Sequence, residues 1–146
     1  EGDLGNRLRA AGLDATLPTY VVWSGGSYYL SADAVASVLG MLRAVLAPGS
    51  MVSLDYTSAD VVRGTVHSWG ARNTLRWARW LGEPWRFGTT AADLARIGHR
   101  LGYGTPTVTP MHEFRRRYLQ GAHAGRPLQE YMGLAALPCL KSERRI

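Results

Sequence analysis

The 146-residue chain contains one cysteine, Cys139, and so cannot close an internal disulfide. That agrees with a reducing compartment and argues against a structural zinc site, which takes several thiolates or imidazoles. His67, His99, His112 and His123 add no metal-ligand spacing with Cys139 or with carboxylates, and no metal is assigned. No apolar run approaches the roughly 18 residues that a bilayer-spanning helix needs. The opening Glu1-Gly2-Asp3-Leu4 has neither the basic start nor the apolar core of a signal peptide. A cytoplasmic location and no membrane partner are therefore expected. Internal repeats and low-complexity tracts are also absent, which excludes solenoid and disordered architectures.

What is present is an apolar fraction of 46% and a charged fraction of 19%, the composition of an ordered globular chain. Its length suits one domain or part of one. The net charge of +6 rests largely on arginines, grouped at Arg72, Arg76 and Arg79, at Arg115 to Arg117 and at Arg144-Arg145. No helix-turn-helix, zinc-knuckle or RNA-recognition pattern accompanies them, so nucleic acid is not expected as a partner and the arginines read as solvated surface.

Along the chain, Leu4, Leu8 and Ala11 at helical spacing, stopped by Gly12, read as the end of a helix, which suggests that something precedes residue 1. Thr19 to Trp23, between Pro18 and Gly25-Gly26, reads as a buried strand with a sharp turn after it. Ser31 as N-cap and Asp33 in the first turn open the clearest helix, whose apolar face runs from Val35 to Leu46 before Pro48-Gly49 stops it. Met51 to Tyr56 is a second strand, so Tyr20 to Tyr56 forms a strand-helix-strand unit of a parallel sheet.

From Asp60 to Leu81 one long or broken helix interleaves Trp69, Trp77 and Trp80 with Arg72, Arg76 and Arg79. Three large aromatics on one helix call for a partner surface. Thr90 and Asp93 fit a capping box for a further helix ending at Gly102. Tyr103 to Thr109 is strand-like, Pro110 opens a helix to about Leu119, and Tyr131 to Leu137 reads as the last strand.

Several segments carry a likeness. Val22-Trp23-Ser24-Gly25-Gly26-Ser27-Tyr28-Tyr29-Leu30, ahead of a capped helix, resembles the fourth-strand motif of leucine carboxyl methyltransferase-like proteins. Before it, Ala11-Gly12-Leu13-Asp14 with Pro18-Thr19 is similar to the family's "GFD…PT". After it, Pro48-Gly49-Ser50 with Leu54-Asp55-Tyr56 resembles "PGS…DY", and Gly82 to Gly88 resembles "GEPFRFG". Arg117-Tyr118-Leu119 and Gly125-Arg126-Pro127 match the family's "RYL…GRP". The order and spacing agree over nearly the whole chain.

The resemblance implies an α/β fold, the C-terminal half of a Rossmann-like class I methyltransferase sheet with flanking helices. Residues 1–146 would then be a single partial domain, with residues 60–88 a helical cover over the substrate. It implies S-adenosylmethionine as cofactor and a hydroxyl or carboxylate oxygen of a small molecule as methyl acceptor. In such folds a glycine-rich loop after the first strand and an acidic residue after the second hold the cofactor, and this sequence has neither. Its Gly102-Tyr103-Gly104 follows a helix and reads as a helix stop. The family's glutamate in the fourth-strand motif is Ser24 here, and a neutral hydroxyl cannot give the charge-assisted hydrogen bond of a carboxylate.

The residues implied beside the cofactor are Ser24, Gly25 and Gly26, with Tyr28, Tyr29 and Tyr56 near the same rim. His67, Trp69, Arg72, Arg76 and Arg86 are candidates against the substrate, the arginines as bidentate partners of an acidic acceptor. No catalytic nucleophile is assigned, because methyl transfer needs in-line approach in a dry site more than it needs one. A serine hydrolase is a poor fit, since Trp23-Ser24-Gly25-Gly26 is not the Gly-x-Ser-x-Gly elbow.

Three readings stay open: half of a methyltransferase, a methyltransferase-fold protein that catalyses another reaction such as a cyclisation, and a non-catalytic binding or assembly module. A half-sheet would leave an apolar strand edge unpaired, so a complementary N-terminal half, a second polypeptide or self-association is expected.

Overall fold

The computed structural model describes residues 4–65 and 68–140. The first helix, α1, is Leu4–Ala10, and Gly12 beyond it takes φ 101°, the left-handed conformation that lets the chain turn away. Strand β1, Tyr20–Trp23, leads through a 3-10 turn at Ser27–Tyr29 into α2, Ala32–Val45. The Ser31 hydroxyl accepts the Ala34 N–H and caps α2 as its sequence predicts. Strand β2, Met51–Thr57, then pairs parallel with β1 in the register Tyr20↔Met51 to Trp23↔Leu54, which completes the expected strand-helix-strand unit.

The stretch expected as one long or broken helix is broken. Helix α3 is a single turn, Ala59–Val62, ended where Gly64 takes φ 76°. Helix α4 is Trp69–Trp80, capped by the Ser68 hydroxyl on Ala71 N–H. Helix α5, Ala91–Arg100, carries the capping box: Thr90 Oγ1 accepts the Asp93 N–H at 3.1 Å and donates to Asp93 Oδ2 at 2.8 Å.

Strand β3 is Thr107–Pro110, shorter than the strand expected from Tyr103. Tyr103 joins the sheet by one antiparallel bridge to Cys139. Between them Pro106 has no N–H to donate, so the ladder is interrupted. Helix α6, Met111–Tyr118, follows with Pro110 at its N-cap, and strand β4, Met132–Pro138, closes the chain's sheet.

The sheet order is β1-β2-β4-β3, with β4 antiparallel to both neighbours. β1 therefore lies at the sheet edge among the described residues. Along it Val21 and Trp23 pack on the core, while Tyr20 and Val22 stay 61% and 68% exposed. One sheet face carries that core: Val52, Leu54 and Tyr56 of β2 with Ala135 and Leu137 of β4, covered by Val35, Leu39 and Leu42 of α2 and by Leu94 of α5. Burying each such aliphatic side chain contributes about 1.5–3 kcal/mol. A second cluster, Val61, Ala71 and Leu75 against Trp85 and Tyr131, seats α4 on the rest.

Tyr103 and Cys139 are among the titratable side chains of this core. Burial pushes the Tyr103 phenol far above its ordinary value, the neighbouring Cys139 thiol adding to the rise, and burial likewise raises Cys139. Both groups are neutral when protonated. Their contribution is fully present below the unfolded-state values of about 8.5 for a thiol and 10 for a phenol, and is lost as pH rises toward the folded-state values. The urea midpoint is expected to hold from neutral pH to the thiol's unfolded value and to fall above the phenol's, with Tyr103→Phe flattening the alkaline limb. A wild-type midpoint that does not move in alkali overturns this.

Candidate functional site

In an open α/β sheet with parallel strands, ligands bind at the carboxyl ends of the strands. Here the parallel pair is β1 and β2, and its carboxyl end is built by a turn from Ser24 to Tyr29. Gly25 takes φ 75°, and a Cβ added there would meet nothing within 4 Å, so its backbone faces open space. Gly26 lies against the Trp23 indole, where an added Cβ would come within 2.9 Å of Nε1. Ser24 is exposed.

What holds this turn is Asp55 of β2. The Gly25 N–H donates to both Asp55 carboxylate oxygens at 3.0 Å, and the buried Ser27 hydroxyl donates to the Asp55 backbone carbonyl at 2.6 Å. Neither Asp55 nor Ser27 was among the candidates from sequence. The available signal for Asp55 was its place in Leu54-Asp55-Tyr56 at a strand end, on the face opposite Leu54 and Tyr56.

Tyr28 continues the arrangement. Its ring stacks against Tyr29 at 4.7 Å and Trp85 at 4.6 Å between centroids, and its carbonyl accepts the N–H groups of Arg86 and Phe87. Partial burial, with the Asp55 charge nearby, raises the Tyr28 phenol. Trp85 in turn lies 6.2 Å from Tyr131, whose hydroxyl is 3.1 Å from Thr74 Oγ1 on α4. A chain of rings thus runs from the strand-end turn to α4. The link that carries Trp85 is fixed at Gly88, where a Cβ would come within 2.7 Å of Val62 and 2.8 Å of the Ser58 carbonyl oxygen.

Two hollows flank this chain. One of about 410 Å³ is lined by Tyr29, Gly82, Glu83, Pro84 and Arg86. The other, about 590 Å³, lies between the end of β2, the first turns of α4 and the approach to β4. Its polar lining includes Ser58, Ser68, Thr74, Gln129, Glu130 and Tyr131. Glu130 reaches Arg115 at 3.6 Å, and Arg115 also donates to the carbonyls of Ala124 and Arg126, which ties down the loop before β4.

Of the candidates from sequence, Ser24, Gly25, Gly26, Tyr28, Tyr29 and Arg86 come from neighbouring segments around the turn. Tyr56 does not stand at the rim. It is 8% exposed within the core, and an added Cβ at Gly133 would fall 2.5 Å from its hydroxyl, so the ring covers that glycine. Burial raises its phenol. Trp69, Arg72 and Arg76 line neither of these two hollows; they lie exposed on the outer side of α4. The helix docks instead through Ala71, Leu75 and Ala78, which allow a closer approach than indoles would. His67 lies outside the described residues.

Residues 1–43 match the family model for leucine carboxyl methyltransferase. No curated protein matches the chain in sequence. Among solved structures, a candidate methyltransferase from Thermobifida fusca is 17% identical with a TM-score of 0.61, over 90% of this chain and 47% of that one. A DUF574 family protein from Streptomyces avermitilis is 16% identical with a TM-score of 0.62, over 92% of this chain and 51% of that one. An O-methyltransferase family protein from Burkholderia thailandensis is 12% identical with a TM-score of 0.57, over 98% of this chain and 35% of that one. The chain thus spans about half or less of the proteins it resembles. Its four-stranded sheet and helices have the Rossmann-like class I methyltransferase fold, and the resemblance read from its motifs up to Leu30 agrees with the family match. Among the described residues no helix is long and apolar enough to cross a membrane.

Proposed function

We propose that this chain supplies one half of an S-adenosylmethionine-dependent O-methyltransferase acting on a small molecule, and that a complementary polypeptide supplies the rest of the cofactor cradle. The observation that carries the reading is the turn at the carboxyl end of the parallel pair, with Gly25 backbone open to a ligand and held by Asp55.

The residues present fit one side of the cofactor. Gly25 offers backbone with no side chain in the way, and Ser24 offers a hydroxyl. The Gly25 N–H is already engaged by Asp55, so Ser24 would supply the polar contact. The bound cofactor carries the methyl group on a sulfonium, which makes that carbon electrophilic. The chain's own part is to bind and orient the acceptor and to exclude water.

The hollow beneath α4 suits a hydroxylated acceptor, because the Ser58, Ser68, Thr74 and Tyr131 hydroxyls can each donate or accept. Arg86 beside Tyr29 suits an acceptor with a carboxylate. The edge of β1, without a strand partner among the described residues and with Tyr20 and Val22 exposed, supports pairing with a strand of the complementary half.

Ser24 in place of the family's glutamate favours a second reading, in which the fold has lost methyl transfer and catalyses another reaction such as a cyclisation. Methylation by the completed protein excludes it.

Native mass measurement combined with calorimetric titration of S-adenosylmethionine tests the proposal. An assembly larger than the 16.0 kDa chain that binds the cofactor is the expected result. A monodisperse 16.0 kDa monomer that binds none would remove the activity from this chain.

A further inference from the structure

Ala71, Leu75 and Ala78 seat α4 and leave its tryptophans and arginines facing outward. Trp69 and Trp80 are each 75% exposed, Trp77 54%, and Leu81 just past the helix 63%. Single exposed apolar residues are ordinary, but a cluster of this size on one helix marks an interaction surface. Arg72, Arg76 and Arg79 are exposed between them, and α4 contains no aspartate or glutamate. Arg72 and Arg76 stand about one turn apart, with about 6 Å of rise along the axis between their backbone positions.

Arg76 divides two shallow hollows. One, of about 290 Å³, is bounded by Trp69, Arg72 and Asn73; the other, of about 260 Å³, by Trp77 and Trp80. Each offers an indole wall beside a guanidinium group, and Trp with Arg is the composition that dominates binding energy at protein interfaces.

We propose that the outer face of α4 docks an acidic amphipathic helix of another protein, with carboxylates one turn apart and apolar side chains between them. Charge complementarity selects this occupant. A second copy docking through the same helix face would set arginine against arginine with no carboxylate between them. A single-stranded nucleic acid would stack successive bases on aromatic faces, and the edge-to-face contact of Trp77 with Trp80 at 5.4 Å and 88° already occupies one of them.

The test uses the full chain and fluorescence anisotropy of a labelled helical peptide with Glu and Leu at matching spacing. Controls are its Gln counterpart, labelled oligo-dT, and vesicles of phosphatidylcholine with phosphatidylserine. The Glu peptide is expected to bind at low salt with a change in tryptophan emission, and Arg76→Glu to weaken it at least about tenfold. Arg116→Glu on α6, an equal change of charge at another exposed arginine, is expected to leave affinity within about twofold. Equal binding of the Gln peptide, stronger binding of oligo-dT or vesicles, or equal losses from the two substitutions would each overturn the proposal.

Discussion

Tyr103→Ala is expected to lower the unfolding free energy by about 3–5 kcal/mol, the range for removing a large buried aromatic. The side chain is 1% exposed, and the residue joins three parts of the fold. Its backbone N–H donates to the Gly98 carbonyl at the end of α5, its residue bridges Cys139 beyond β4, and its hydroxyl donates to the Leu39 carbonyl of α2 at 2.8 Å. No single neighbour can close the space that alanine leaves. Against a domain stability of about 5–15 kcal/mol, the loss would consume a large share. Tyr103→Phe isolates the hydrogen bond and is expected to cost about 0.5–1.5 kcal/mol. Urea unfolding of the three proteins at neutral pH checks both values. An alanine variant within about 1 kcal/mol of wild type would show that the helices and sheet do not depend on this contact.

The elements with local punctuation were legible. Ser31 caps α2, Thr90 with Asp93 caps α5, and the parallel β1-α2-β2 unit follows from strand signals on either side of an amphipathic helix. The period of two along β2 also contained more than was taken from it. Val52, Leu54 and Tyr56 share the core face, so Tyr56 is a core residue and Asp55 points the other way, toward the turn. The facing of α4 was less accessible. Hydrophobicity alone ranks tryptophan as the residue to bury, yet the packed face is Ala71, Leu75 and Ala78, spaced at i, i+4 and i+7. Which face of a helix docks depends on how close its neighbour lies, and that distance is a tertiary quantity. The pairing of the Gly25 N–H with a carboxylate thirty residues away is tertiary for the same reason.

Asp55→Ala is expected to weaken S-adenosylmethionine binding by the completed assembly at least about tenfold, the loss of a well-placed charged partner's positioning. Gly25 at φ 75° has no side chain to restrict it, and the carboxylate is what fixes its N–H from outside the turn. Ser27 still anchors the far end through the Asp55 backbone carbonyl, which the substitution leaves in place. The fold should therefore survive while the open backbone beside Ser24 loses its fixed course. Asp55→Asn keeps one acceptor oxygen and should recover most of the affinity. The Gly25 amide reports the same change without any cofactor, because its hydrogen exchange quickens when the acceptor is removed. If exchange quickens and affinity holds, the turn is positioned by Asp55 but is not the ligand's contact. If neither changes, Ser27 alone holds the turn.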